Sequence, residues 1–313
     1  MSTSLESTLQ EILKPFGSLQ RVEVIQKLWS GYGSLCRVSL SESDKTLITK
    51  LIQFPEGEES FSHLRKIKSY EVEMAWYHFY NNKIFNSYIP ECLARGSYKD
   101  SHYLVLEDLQ EKGFKVKTEV SLKDVELCLK WLAYFHGYYL GTASRKLWEV
   151  GTYWHLETRP KELSVLTDIE LKESAAIINE RLNSSQFKTI VHGDAKLANF
   201  LFKKEAVAAV DFQYVGGGVG IKDVAYFLSS LYTENELQEN EKKCLDYYFS
   251  ELKKAIIFYE KKIDFNLLEN EYRELYPYAW CDFYRFLKGW SPGHWKIHSY
   301  SENMKKRVLD EIN

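Results

Sequence analysis

The chain has 313 residues, 45% hydrophobic and 27% charged, long enough for a well-buried core and near the length at which one core becomes two lobes. A formal net charge of −3 offers no general field for a nucleic-acid backbone, and the ordinary composition excludes long disorder and fibrous repeats. Five well-separated cysteines, Cys36, Cys92, Cys128, Cys244 and Cys281, contain no CxxC pair, which points away from a zinc site or disulfide framework and toward a reducing cytoplasm.

Glu6 and Glu11 interrupt the N-terminus where a secretory segment needs a continuous apolar run. The longest uncharged apolar stretch, Trp131 to Ser144, is too short and too rich in His, Gly and Tyr to span a bilayer. The basic clusters Arg65-Lys66-Lys68 and Lys305-Lys306-Arg307 read as solvated helix faces. A cytoplasmic protein with no membrane or nucleic-acid partner is expected, and no pattern specifies its oligomeric state.

In chain order, residues 21–54 read as short strands broken by Ser30-Gly31-Tyr32-Gly33-Ser34, a glycine-rich hairpin. From Phe61 to Tyr80 the period becomes helical, with Leu64, Ile67, Tyr70, Met74 and Tyr77 at intervals of three and four and Glu73 beside that face. Tyr103-Leu104-Val105-Leu106 is a compact strand running into Glu107-Asp108, and the polar residues after it mark a boundary between lobes 1–107 and 108–313. Ser121 reads as the N-cap of a helix carrying Val125, Leu129, Leu132 and Phe135. Strands and turns return over 189–213, followed by helices over 223–232, 241–259 and 275–288.

The most informative stretch is His192-Gly193-Asp194-Ala195-Lys196-Leu197-Ala198-Asn199, followed by Val210-Asp211-Phe212-Gln213. A loop holding Asp, Lys and Asn within six residues, met by a strand ending in Asp, concentrates oxygen ligands and one cation, a set that suits phosphate and Mg²⁺. Gly31, Gly33 and Ser34 would let backbone amides approach a phosphate, or they form an ordinary hairpin turn.

At these residues the chain resembles the protein-kinase-like superfamily, in its small-molecule branch of aminoglycoside phosphotransferases, choline kinases and ecdysteroid-kinase-like proteins. His192, Asp194, Lys196 and Asn199 match the pattern H-R-D-x-K-x-x-N, and Asp211-Phe212 match the start of D-F-G. Gly193 and Gln213 depart from the protein kinases but fit the HGDxxxxN and DFQ forms of the ecdysteroid-kinase-like group.

The resemblance implies an α+β, two-lobed protein-kinase-like fold, with a β-rich nucleotide-binding N-lobe and a mainly helical C-lobe. It implies Asp194 and Lys196 as catalytic residues, Asn199 and Asp211 as Mg²⁺ ligands, and Lys50 paired with Glu73 to orient the phosphates of ATP, with Glu71 as the rival partner. The backbone of Glu107 to Leu109 would hydrogen-bond adenine.

Asp223 either braces the catalytic loop or is a carboxylate favoured by a helix N-terminus. His136 and His192 read as supporting histidines. The aromatics of 280–286 and 290–295, with Asp282, either line an acceptor pocket or pack a helix core. Asp211 and Asp223 are only 12 residues apart, with no APE motif after them, which favours a small-molecule hydroxyl over a protein as acceptor. The alternative is an inactive nucleotide-binding pseudokinase or scaffold.

Overall fold

The structure is a computed structural model that describes residues 5–28, 31–41, 43–55, 60–80, 82 and 84–312. Ser30, part of the expected glycine-rich hairpin, lies outside the described residues. The chain divides into two compact units, 1–82 with 89–115, and 83–88 with 116–313. The stretch 108–115, assigned from sequence to the second lobe, is thus grouped with the first unit.

In the first unit helix α1 (Leu5–Leu13) precedes strands β1 (Leu19–Lys27), β2 (Gly33–Leu40) and β3 (Ser43–Gln53). Helix α2 (Phe61–Phe79) and strands β4 (Cys92–Tyr98) and β5 (Ser101–Glu107) complete it. The sheet is antiparallel throughout, in the order β1-β2-β3-β5-β4. Neither α1 nor β4 was expected from the sequence, although Leu5, Leu9, Ile12 and Leu13 of α1 recur at helical spacing.

Alternation along the strands sorts side chains to two faces. Cys36, Val38 and Leu40 of β2 and Leu51 of β3 pack with Leu9, Ile12 and Leu13 of α1. Leu35 and Ile52 point the other way, into a cluster with Leu28, Tyr32, Tyr70, Ile67 and Met74. Lys50, two residues from Ile52, shares that second face, which puts its ammonium on the side covered by α2.

At the end of β5 the buried Asp108 carboxylate ties three segments together. Its Oδ2 accepts from Arg37 Nε of β2 at 2.5 Å and from Thr46 Oγ1 of β3 at 2.7 Å, and its Oδ1 accepts from the Gln110 amide at 3.0 Å. Burial opposes the charge, yet the Arg37 and Thr46 hydrogen bonds hold this carboxyl below its ordinary pKa.

The second unit is mainly helical. Helix α3 (Leu122–Tyr139) is closed at its start by a capping box in which Ser121 and Asp124 bond each other's backbone, as its sequence predicts. Short helices α4 (Pro160–Ser164), α5 (Ile169–Glu173) and α6 (Ala175–Asn183) follow, then β6 (Thr189–Val191), the hairpin β7 (Phe200–Lys203) and β8 (Ala206–Ala209), and β9 (Gly216–Gly218) paired with β6. Helices α7 (Ile221–Leu231), α8 (Glu234–Phe258), α9 (Phe265–Trp290) and α10 (Ser299–Ile312) complete the unit, with α3 against α8 and both α7 and α10 against α9.

Asp108→Ala should destabilise the first unit by about 2 kcal/mol, because it strips a partly buried guanidinium and a hydroxyl of their acceptor. Urea titration of the variant checks this, and a loss within about 0.5 kcal/mol would show that the tie is dispensable.

Candidate active site

In the second unit the chain leaves β6 at Val191 and turns through His192 and Gly193 before a single 3-10 turn at Leu197–Asn199 leads into β7. The turn is held from α7. The fully buried Asp223 carboxylate accepts from the backbone amides of His192 at 2.6 Å and Gly193 at 2.9 Å, and hydrogen-bonds His136 Nε2 at 3.1 Å. Ser230 Oγ, near the other end of α7, accepts from the Leu197 amide at 3.0 Å.

His136 and His192 are buried supporting residues. His136 Nδ1 bonds the Tyr248 hydroxyl at 2.9 Å. His192 Nε2 lies 3.1 Å from the Val210 carbonyl while its Nδ1 accepts from the Asp194 amide at 3.3 Å, and burial lowers its pKa. One neutral tautomer satisfies both contacts.

Gly193 departs from the protein-kinase pattern for a steric reason. Its φ is +78°, and a Cβ there would stand 2.0 Å from the Tyr214 carbonyl oxygen. No L side chain fits such a site without moving the backbone behind it.

Asp194 is 5% exposed. Its Oδ2 accepts from Lys196 Nζ at 2.8 Å and Asn199 Nδ2 at 3.1 Å, whereas its buried Oδ1 takes no hydrogen bond of normal length. Burial raises its pKa and the Asp211 charge adds to the rise, with Lys196 opposing. Burial disfavours the Lys196 cation, but Asp194 beside it lifts that pKa above the ordinary value. The phenol of Tyr226 on α7 feels the Asp194 charge, and it is pushed well up, first by burial and then by that carboxylate.

Asn199 Nδ2 also donates to the Asp194 carbonyl at 2.8 Å. With its NH₂ committed to two acceptors, the amide turns its Oδ1 the other way. The Val210 amide donates to the Asn199 carbonyl at 3.0 Å, which brings Asp211 alongside. Asp211 has φ +69°, a left-handed conformation that costs a non-glycine residue energy and concentrates at functional sites. Phe212, fully buried, packs its ring 4.8 Å from that of His192 and anchors the turn.

One amide oxygen and one carboxylate suit Mg²⁺, which keeps several waters and takes phosphate oxygens. Among the described residues no group of three or more His, Cys, Asp or Glu could hold a metal unaided.

In the first unit Lys50 and Glu73 meet as expected, with Nζ 2.5 Å from Oε2 and both side chains buried. Glu71 is exposed on the outer face of α2. Gly31 stands in an exposed turn, with its amide donating to the Leu28 carbonyl at 3.2 Å. Gly33 and Ser34 are strand residues of β2, in register with Ile52 and Leu51 of β3, so glycine at 33 has a packing cause: a Cβ would lie 2.0 Å from the Leu51 carbonyl oxygen. At the end of β5 the Glu107 amide donates to the Glu91 carbonyl at 3.0 Å, and the Leu109 carbonyl accepts from Lys112 and Phe114.

Asp282 is not a pocket carboxylate. It is 1% exposed and accepts from Trp154 Nε1 at 3.0 Å and Arg285 Nη2 at 2.8 Å, with Lys222 Nζ at 3.1 Å, and those two cations hold its pKa well below the ordinary value against the burial that raises it. Trp280, Phe283, Tyr284 and Phe286 are core residues, whereas Trp290 and Trp295 are exposed. Sequence reasoning also passed over Ser230, Tyr226 and the Arg37–Asp108 tie, since each partner is remote along the chain.

Several solved structures share this architecture. Amicoumacin kinase hAmiN, in complex with AMP-PNP, Ca²⁺ and Ami, matches with a TM-score of 0.56 at 15% identity, over 97% of this chain and 92% of that one. Spectinomycin phosphotransferase APH(9)-Ia, in complex with ADP and spectinomycin, matches at 0.53 and 12%, over 98% and 95%. Choline kinase LicA from Streptococcus pneumoniae matches at 0.51 and 14%, over 98% of both chains. At such identities the likeness is one of fold, and that fold is the α+β, protein-kinase-like fold of small-molecule kinases. No curated protein is significantly similar in sequence. The model of the ecdysteroid kinase-like family matches residues 34–149 and 154–258, most of the chain, and the chain belongs to that family.

Two outcomes test the loop's support. Asp223→Ala leaves two buried backbone amides without an acceptor and should cost about 3 kcal/mol in urea unfolding, at about 1–3 kcal/mol for each orphaned donor. His155, next to the Asp282 cluster, has its pKa pulled down to about 4 by burial and by the Lys222 cation. The unfolded chain therefore binds the extra proton first, so stability should rise with pH between about 4 and about 6.5 and fall on acidification. His155→Gln should flatten that slope in unfolding titrations across the window.

Proposed function

We propose that the chain is an ATP- and Mg²⁺-dependent phosphotransferase that moves the γ-phosphoryl group to a hydroxyl of a small molecule, of the ecdysteroid-, choline- or aminoglycoside-like kind. The observation that carries this is the state of Asp194: a buried carboxylate with one oxygen fixed by Lys196 and Asn199 and the other taking no hydrogen bond of normal length, beside an amide–carboxylate pair of Mg²⁺-binding character.

Oδ1 of Asp194 accepts the proton of the acceptor hydroxyl as its oxygen forms a bond to the γ-phosphorus and the bond to the leaving ADP oxygen breaks. The raised pKa of Asp194 brings it closer to the range where a carboxylate works as a base near neutral pH. Lys196 holds Asp194 in place and balances negative charge on the transferring group. Asn199 and Asp211 are the residues that would hold Mg²⁺, which when bound neutralises phosphate charge. Lys50, steadied by Glu73, serves the α- and β-phosphates.

The backbone from Glu107 to Leu109, at the end of β5, would hydrogen-bond the adenine edge, and there the Leu109 C=O already accepts from Lys112 and Phe114. Gly31 serves the phosphates from the exposed turn, with the Gly33 and Ser34 amides beside it at the head of β2.

Asp194→Asn should lower phosphoryl transfer by about a hundredfold or more, the usual worth of a positioned base, while leaving nucleotide affinity within about twofold. ADP release with a library of alcohols, together with fluorescence titration of a nucleotide analogue, measures both. Undiminished turnover in the variant would refute the role of Asp194. Nucleotide binding without transfer to any alcohol in the wild-type protein would instead favour the scaffold reading.

A further inference from the structure

Between the two glycines of the first-unit turn, one side chain points away from solvent. Gly31 stands open, and a Cβ there would meet no atom within 4 Å, whereas Tyr32 beside it is only 2% exposed. The backbone around Tyr32 is bonded on both sides, with the Leu28 amide donating to the Gly33 carbonyl and the Gln53 amide to the Tyr32 carbonyl, each at 2.9 Å.

The Tyr32 side chain is received by α2. His63, Lys66, Tyr70 and Glu73 follow one another at helical intervals of three, four and three residues, so they share one face of that helix. The Tyr32 ring stacks on Tyr70, with centroids 5.8 Å and planes 21° apart, and it meets the His63 ring at 5.6 Å and the Phe54 ring edge-on at 6.4 Å. Lys66 Nζ lies 5.4 Å from its centroid. The Tyr32 hydroxyl hydrogen-bonds His63 Nδ1, and the His63 amide is itself held by the N-cap Ser60 Oγ at 3.2 Å. Burial raises the pKa of this phenol, which therefore keeps its proton at neutral pH.

The same Tyr70 ring lies 5.5 Å from Lys50 Nζ, the ammonium that Glu73 holds at 2.5 Å. One aromatic ring thus touches both the anchor of the turn and the lysine. A glycine turn left to itself samples many conformations, few of which present an amide to a phosphate, and ordering it on binding costs affinity. A buried aromatic stack removes that freedom beforehand, because a packed cluster yields little to displacement. Glu107 to Leu109, where adenine is proposed to bind, are held by a separate tie through Asp108 to Arg37 and Thr46.

Resting on the reading of Gly31 and Lys50 as phosphate contacts, we propose that Tyr32 is a positioning residue: it docks the glycine turn on α2 and, through the ring of Tyr70, holds the turn in register with Lys50 for the phosphates of the nucleotide.

The test separates the phosphates from the base by titrating adenosine and AMP-PNP with Mg²⁺ into the full chain by calorimetry. The wild-type protein should bind AMP-PNP more tightly than adenosine. Tyr32→Leu, which keeps apolar bulk but loses the stack and the hydroxyl, should weaken AMP-PNP by about tenfold and leave adenosine within about twofold. Tyr32→Phe keeps the stack and should restore most of the difference. His63→Ala, on a partly exposed helix turn, removes one ring and the partner of the hydroxyl, and should weaken AMP-PNP alone by about threefold. Unchanged AMP-PNP affinity in Tyr32→Leu with native circular dichroism overturns the proposal, as does an equal loss for both ligands, which a purely structural role would give. Should Tyr32→Leu fail to fold, His63→Ala decides by the same two criteria. A wild-type protein that binds AMP-PNP no more tightly than adenosine overturns the reading of the turn and Lys50 as phosphate contacts, and this proposal with it. The readout is binding without turnover, so the role of Asp194 stands or falls separately.

Discussion

The loop from His192 to Asn199 hangs on one carboxylate. Asp223 receives the amides of two consecutive residues, His192 and Gly193, together with a ring nitrogen of His136, all out of contact with water. Two consecutive amides that point at one acceptor fix the local turn, and the positive φ of Gly193 is the backbone conformation that permits it. Because Asp223 stands in the first turn of α7, the helix N-terminus also favours its charge. The two accounts of Asp223 that the sequence left open therefore describe one arrangement, in which a helix start holds a carboxylate and the carboxylate holds the loop.

With the loop fixed, the chemistry becomes a matter of charge placed in a dry setting. Asp194 is costly to ionise there, and Lys196 and Asn199 offset that cost on one oxygen only. Tyr226 and Tyr153 lie within the field of the same carboxylate, and burial together with that field pushes both phenols up, so they remain protonated. The strained φ of Asp211 belongs to the same design: the anchored Phe212 and the Val210–Asn199 hydrogen bond over-determine the turn and hold the carboxylate where a relaxed residue would not stay.

Much of this was legible in the sequence because it is local. The spacing from His192 to Asn199, the capping box at Ser121 and the apolar stripe of α2 are all encoded within a few residues. The Lys50–Glu73 pair spans a longer gap and was reached through the resemblance to small-molecule kinases; in the fold, strand alternation and helix period bring the two onto facing sides. What escaped was non-local or weakly patterned. Arg37, Thr46 and Asp108 come from three separate strands, and Lys222, Asp282 and Arg285 look like surface charges until α7 and α9 pack together. The helices of 156–183 and the start of α8 were missed because short or strongly charged helices show little apolar contrast. Gly33 was read either as a phosphate contact or as part of a hairpin turn, and the structure adds a packing constraint that no local pattern shows, the Leu51 carbonyl oxygen.

The short stretch from Asp211 to Asp223 also bears on what the acceptor is. Its β9 strand pairs with β6 on one side, while on the other the Trp148 amide donates to the Val215 carbonyl, the Gly217 amide to the Trp148 carbonyl and the Gly151 amide to the Gly217 carbonyl, at 3.2, 3.0 and 2.7 Å. The Thr152 amide closes the row on the Tyr214 carbonyl at 3.2 Å, and the Trp148 indole donates to the Gln213 carbonyl at 2.8 Å. A segment bonded along both edges has no unpaired row of amides and carbonyls to offer, so a peptide that docks by adding a strand finds no edge here. The same hydrogen bonds oppose the order–disorder switching by which longer activation segments are regulated, since each would have to break together with a buried partner. A segment assembled in this way stays ordered without a covalent trigger, which accords with the small-molecule acceptor proposed above rather than with a docked peptide.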